Sequence, residues 1–245
     1  MPTSYIDSLL EYDRAKAMKI HMVAIDLDGT LLNSSKEITQ TTAEILRTAR
    51  SEAGVKIVLA TARPPRSVRP FYDLLDLDTP MINYNGALVL DPADGRVLMH
   101  RPIPVKNCRG IIRLAREIYP EVLVSAEIMD RWLTDRLDPA YNTETGLLFS
   151  PDVVAPIDDW INQSMTKLLL LGHSERLKDV AAAVRQRFTH QVAMVQTENY
   201  MLQIMHATVS KAQALRVVAA EMHLRRGQVM AIGDNANDVG MLQWA

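Results

Sequence analysis

Val23-Ala24-Ile25-Asp26-Leu27-Asp28-Gly29-Thr30-Leu31-Leu32 is an apolar run that stops in two carboxylates, followed at once by a glycine and a hydroxyl. An apolar run without polar alternation reads as a strand buried on both faces, as in a parallel sheet. Such sheets place their chemistry just beyond the carboxyl ends of the strands, where Asp26 and Asp28 stand. Asp-Gly after a strand is also an ordinary turn signal, so this stretch alone leaves a turn and a site equally open. A second run, Gln228-Val229-Met230-Ala231-Ile232-Gly233-Asp234-Asn235-Ala236-Asn237-Asp238, repeats the pattern near the far end. Two such strands in one sheet bring four carboxylates to one edge. Bare, they repel and some take up protons; a hard dication held by oxygen removes that penalty. Mg²⁺ fits better than Ca²⁺, because a few carboxylates leave room for waters and a phosphate oxygen.

Two further segments fall into line. Leu59-Ala60-Thr61-Ala62-Arg63 ends an apolar strand in a hydroxyl, and Ser210-Lys211 opens a helix. Thr61 suits either a phosphate-oxygen donor or a helix cap. A lysine in the first helical turn opposes the helix dipole, so Lys211 asks for an anionic partner, although helix starts also carry plain surface lysines. Taken in order, these four motifs resemble the haloacid dehalogenase superfamily of phosphotransferases, whose signature begins Asp-x-Asp-Gly-Thr. The long segment between Thr61 and Lys211 resembles the large α+β cap of the Cof-type branch. Ala62 and Ala212 stand where the family usually has glycine.

The resemblance implies an α/β fold, a Rossmann-like parallel sheet core with an inserted α+β cap. The core is expected in residues 1–86 and 197–245 and the cap in 87–196. It also implies a Mg²⁺-dependent hydrolase of small phosphorylated metabolites, sugar phosphates among them, working through an aspartyl phosphate. Asp26 is then the nucleophile and Asp28 the acid and base, while Thr61 and Lys211 neutralise the phosphoryl oxygens. The metal falls to Asp26, Asp28 through its main-chain carbonyl, and Asp234, with Asp238 supporting through water or by orienting Lys211. Arg63, Asn85 and Asn237 are candidate substrate contacts, though Arg63 equally suits a surface ion pair and Asn85 a turn. Asp130, Arg131 and Trp132 have the chemistry of substrate contacts or of ordinary cap residues. A dehalogenase of the superfamily needs neither Asp28 nor Asp234, so their presence favours phosphoryl transfer. A phosphomutase, a non-catalytic relative and a phosphoacceptor signalling module are the alternatives. The last lacks both the insert and the second carboxylate cluster.

The 245 residues are 48% apolar and 23% charged, with a net charge of −2, enough for a sizeable core and against general nucleic-acid binding. No stretch has the length and apolarity of a membrane span. One cysteine, Cys108, suits a reducing cytoplasm and excludes an internal disulfide. Met1 to Ile20 lacks the apolar core of a signal peptide and reads as an N-terminal extension packed on the core or loosely ordered. The chain stops at Ala245, soon after Asp234, which leaves the Asp234 strand as a sheet edge open to that extension or to a second copy of the chain.

Along the chain, helices are expected over 39–50, 66–75, 105–119, 174–188, with Ser174 as cap, and 211–222. Strands are expected over 55–60, 81–84, 122–125 and 166–171. Hairpins are expected over 87–100 and 191–205, and a loop over 142–157.

Overall fold

The computed structural model describes residues 19–141 and 143–245, so the expected N-terminal extension lies almost wholly outside the described residues. The core opens with β1 (Met22–Ile25), α1 (Gln40–Ala53), β2 (Lys56–Leu59), α2 (Pro65–Leu75) and β3 (Met81–Asn83). The Thr39 hydroxyl caps α1 by accepting the Thr42 amide, and Gly54 ends the helix in the left-handed conformation, φ 67°. β1 pairs in parallel with β2 on one side and with β12 (Val229–Ile232) on the other. A parallel bridge between Ala60 and Ile82 carries the sheet on to β3.

Burial on both faces explains the unbroken apolar runs. Met22, Ala24, Val58 and Ala60 pack against Ala214, Leu215 and Val218 of α6 (Lys211–Glu221). Ile25, Ile57 and Leu59 face the cluster that holds Ala43 of α1 and Val68, Tyr72 and Leu75 of α2. β12 has a single strand neighbour, β1, among the described residues.

The cap is a six-stranded sheet of β6 (Leu123–Ile128), β7 (Arg131–Thr134), β8 (Val153–Val154), β9 (Lys167–Leu171), β10 (Val192–Glu198) and β11 (Met201–His206), in the order β10-β11-β9-β6-β7-β8. Helices α3 (Val105–Ile118) and α5 (Ser174–Arg187) cover one face, where Ile111, Ala115, Leu177, Val180 and Val184 meet Val124, Ala126, Leu168 and Leu170. The other face of β9 carries Leu169 and Leu171 against Leu123 and Met201. This double burial explains why Lys167-Leu168-Leu169-Leu170-Leu171 shows no alternation.

Strand pairing corrects the expected boundaries at 87 and 196. The hairpin of β4 (Leu88–Leu90) and β5 (Val97–His100) joins β3 and extends the core. A strand linked to its predecessor by a tight turn pairs with it locally. β10 and β11 pair with each other, and β11 pairs with β9, so the whole hairpin belongs to the cap. Three local expectations also change. β7 was not foreseen. The expected loop 142–157 contains a short helix, α4 (Glu144–Leu148), and β8. His173 rather than Ser174 stands at the cap of α5 and makes no side-chain capping bond. Cys108 is buried on α3, and burial pushes its thiol up to about 12, so it is a packing residue.

Gly86 has φ +95°, and a Cβ there would lie 2.4 Å from the Ser210 carbonyl oxygen, just before α6. Gly86→Ala must therefore displace the start of α6. The expected outcome is a loss of about 2 kcal/mol or more, read from the urea midpoint.

Candidate active site

Register alone gathers the site. Ile25 pairs with Leu59 on one side and with Ile232 on the other. The residues just beyond, Asp26, Thr61 and Asp234, therefore leave three adjacent strands at one edge of the sheet. Lys211, the first residue of α6, reaches this edge with its side chain fully buried. Its ammonium donates to Asp26 Oδ1 at 2.5 Å and to Asp238 Oδ1 at 2.7 Å. Asp238 precedes α7 (Val239–Trp244), is 0% exposed, and also accepts the Asn235 amide through Oδ2 at 3.1 Å. Ser210 caps α6 by accepting the Gln213 amide, which fixes where Lys211 starts the helix. Burial pushes the Asp26 carboxyl up, and Lys211 opposes it.

Asp26, Asp234 and Asp238 offer carboxylate oxygens within 4.8 Å of one another. Three carboxylates against one ammonium leave two unit negative charges. An all-oxygen donor set of that charge fits Mg²⁺. Thr30 Oγ1 donates to Asp234 Oδ1 at 2.7 Å and Asn235 Nδ2 to its Oδ2 at 3.0 Å, so both oxygens are oriented. Both oxygens of Asp238 are taken by protein donors, Lys211 and the Asn235 amide. Gly29, with φ +90°, is needed here, because a Cβ would fall 2.4 Å from Asp234 Oδ2.

The Asp28 carboxylate is held by cations of the protein. Arg63 holds it by two bonds, Nε to Oδ2 at 2.8 Å and Nη2 to Oδ1 at 2.6 Å, and Lys36 adds a third at 2.8 Å. Its carboxylate is thus committed to these cations and is not among the three that cluster at the sheet edge. Burial would raise the Asp28 carboxyl, but Arg63 and Lys36 outweigh burial and hold it below the usual range. Arg63 is an ion-pair residue at the site, and its guanidinium lies 5.9 Å from the Phe71 ring centre.

Thr61 is 1% exposed and does not cap α2, where Pro64 holds the cap position. Its hydroxyl accepts the Arg63 amide at 3.2 Å and donates to no protein group among the described residues. Asn85 and Asn237 meet each other, Nδ2 of Asn237 donating to Oδ1 of Asn85 at 2.9 Å. Asn85 lies in a left-handed turn with φ 56°, and its amide donates to the Thr61 carbonyl.

A cleft of about 610 Å³ opens above Asp28, Arg63 and Asn235 and is roofed by Glu127, Trp132, Lys167 and Tyr200 of the cap. Its size suits a small metabolite. Of the cap residues Asp130, Arg131 and Trp132, Trp132 lines this cleft, while Asp130 accepts the Arg66 amide at 2.9 Å. The sequence reading missed Glu127 and Lys167, because nothing in their neighbourhoods marks them; only strand pairing sets them over the site.

Lys211→Met leaves Asp26 and Asp238 buried together without a cation. The expected cost is about 3 kcal/mol or more near pH 8, measured by urea unfolding. Losing Lys211 raises the Asp26 carboxyl further in the folded state. Stability is therefore retained below the unfolded value and lost as pH rises, so the deficit against the wild type shrinks toward about pH 5.

A family model described as haloacid dehalogenase-like hydrolase matches residues 23–245. A protein of Bacillus subtilis strain 168 that carries a phosphatase name, YxeH, is 30% identical over 91% of this chain and 84% of its own. A second protein of that strain, 5-amino-6-(5-phospho-D-ribitylamino)uracil phosphatase YitU, is 28% identical over 93% of this chain and 84% of its own. The crystal structure of TM0651 from Thermotoga maritima superposes with a TM-score of 0.81 at 26% identity, covering 92% of this chain and 84% of that one. The chain belongs to the haloacid dehalogenase-like hydrolases.

Proposed function

We propose that the protein is a Mg²⁺-dependent phosphatase that hydrolyses small phosphomonoesters, sugar phosphates among them, by way of a phosphoryl group carried on Asp26. The observation that carries this reading is the buried Lys211 clamped between Asp26 and Asp238, which stand close in the chain to Asp28 and Asn235 of the cleft under the cap. The phosphatase names of the relatives agree with it. Bound Mg²⁺, held by Asp26 and Asp234, would neutralise charge on the phosphoryl oxygens.

An oxygen of Asp26 attacks phosphorus, and the bond to the leaving oxygen breaks. Asp28, once protonated, gives its proton to that oxygen. Water then attacks the phosphorus of the aspartyl phosphate, Asp28 takes a proton from it, and phosphate leaves with the Asp26 carboxylate restored. Lys211 stays beside Asp26 throughout and balances the charge that develops there. The Thr61 hydroxyl, with its proton uncommitted, donates to a phosphoryl oxygen. For the first step Asp28 must exchange its Arg63 partner for the leaving oxygen. An arriving phosphate dianion competes for Arg63 and Lys36 and so promotes that exchange. The cap shields the cleft and selects the ester, and a single buried cysteine suits a reducing cytoplasm.

The test is phosphate release from a panel of phosphomonoesters with Mg²⁺, with chelator, and with Asp26→Asn. The expected result is release that the chelator abolishes and that Asp26→Asn lowers by about a thousandfold or more. Release that is equal in chelator, or retained by Asp26→Asn, contradicts the reading.

A further inference from the structure

In the roof of the cleft Lys167 sits level with Glu127 across the β6–β9 pairing, and Glu127 with Trp132 across β6–β7. All three line the cleft. Lys167 is 8% exposed, yet no hydrogen bond or salt bridge reaches its ammonium among the described residues. It feels the charge of Glu127, level with it on the next strand, without bonding to it, and the Tyr84 ring lies 5.2 Å from its Nζ to the ring centre. The neighbouring carboxylate already has partners: Glu127 Oε1 accepts from Arg66 Nη2 at 2.6 Å, and Oε2 lies 3.1 Å from the Tyr84 hydroxyl, whose one proton it shares with the nearer Met129 carbonyl at 2.7 Å. Asp130, the second carboxylate on Arg66, lies at the solvent edge with 34% of its side chain exposed. The group thus holds two cations, the part-buried Arg66 and the buried Lys167, around one buried carboxylate, Glu127. Glu198 also lines the cleft but is exposed.

A desolvated ammonium with its donors unused is costly unless something arrives to accept them. From its place in the cleft that partner is the ligand. Building on the phosphatase reading above, we infer that Lys167 is a specificity residue that receives an anionic oxygen group, a carboxylate or a second phosphate, on the leaving group of the substrate. The ester's phosphate lies at the sheet edge by Asp26, and its far end reaches the cap sheet at Lys167. Neutral polyol phosphates of the same length then leave Lys167 with a hydroxyl, a weaker acceptor than an anion.

The test compares two esters with the same six-carbon chain, 6-phosphogluconate, which ends in a carboxylate, and sorbitol 6-phosphate, which ends in an alcohol. p-Nitrophenyl phosphate first establishes turnover by the wild type; no turnover of any of the three contradicts the phosphatase reading itself. Given turnover, the wild type is expected to favour 6-phosphogluconate by about tenfold or more in kcat/KM, the scale of a charge-assisted hydrogen bond. Lys167→Met is expected to remove that preference, chiefly through KM, and Lys167→Arg to keep most of it. The preference is a ratio within one protein, so partial loss of folded protein cancels from it, and a thermal melt reports folding separately. A purely structural lysine moves the melt and leaves the ratio alone. A wild type with no preference for the carboxylate, or a ratio unchanged in Lys167→Met, overturns the inference.

Discussion

An ammonium buried between two aspartates fixes the geometry of this site. Asp26 ends a strand, Lys211 begins a helix and Asp238 precedes another, and the three meet only in the folded chain. Lys211 stands where the helix dipole disfavours a cation and where its side chain is fully buried, so the two aspartates offset the cost of placing it there. In turn the lysine lets two carboxylates stay close together away from solvent. Asp234 then adds negative charge that one lysine does not balance, giving a cluster of three carboxylates whose oxygens lie within 4.8 Å of one another. Gly29 and Thr30, in the loop after β1, complete the arrangement: one leaves space for the Asp234 carboxylate and the other donates to it.

The turn at Tyr84 and Asn85 couples this site to the cap. Both residues are left-handed, with φ of 50° and 56°, a conformation that costs about 1–3 kcal/mol for a residue with a side chain. The surroundings hold them there. The Tyr84 hydroxyl donates to the Met129 carbonyl at 2.7 Å and shares that proton with the more distant Glu127, both in the cap, while Asn85 bonds to Asn237 and to the Thr61 main chain in the core. Arg66, near the start of α2, reaches across to Glu127 and Asp130. One short segment thus faces the catalytic edge with one residue and the roof of the cleft with the next. Movement of the cap against the core would have to strain or break these bonds.

The core strands and the residues at their ends were legible because the signals are local. An unbroken apolar run followed by carboxylates or a hydroxyl marks a buried parallel strand and its catalytic end at once, and Asp26, Thr61 and Asp234 each follow that rule. Lys211 was legible through its odd place at a helix start. What the sequence left hidden depends on contacts between distant residues. The Asp28 carboxylate read as the acid and base, but that Arg63 and Lys36 hold it was not legible, because no spacing rule ties 28 to 63. The partner sheets of the hairpins at 88–100 and 192–206 turned on pairings that alternation alone cannot assign. Glu127 and Lys167 read as stray charges in a cap of uncertain topology, because their meaning comes from strand register and from Tyr84 and Arg66, far off in sequence.

The central claim is that the Asp26 carboxylate carries the phosphoryl group. It is tested most directly by acid-quenching the enzyme during turnover, reducing it with borohydride and mapping the peptides by mass spectrometry. Reduction of an acyl phosphate converts that aspartate to homoserine. The account predicts homoserine at position 26, dependent on both substrate and Mg²⁺. Homoserine at another aspartate during active turnover would contradict it.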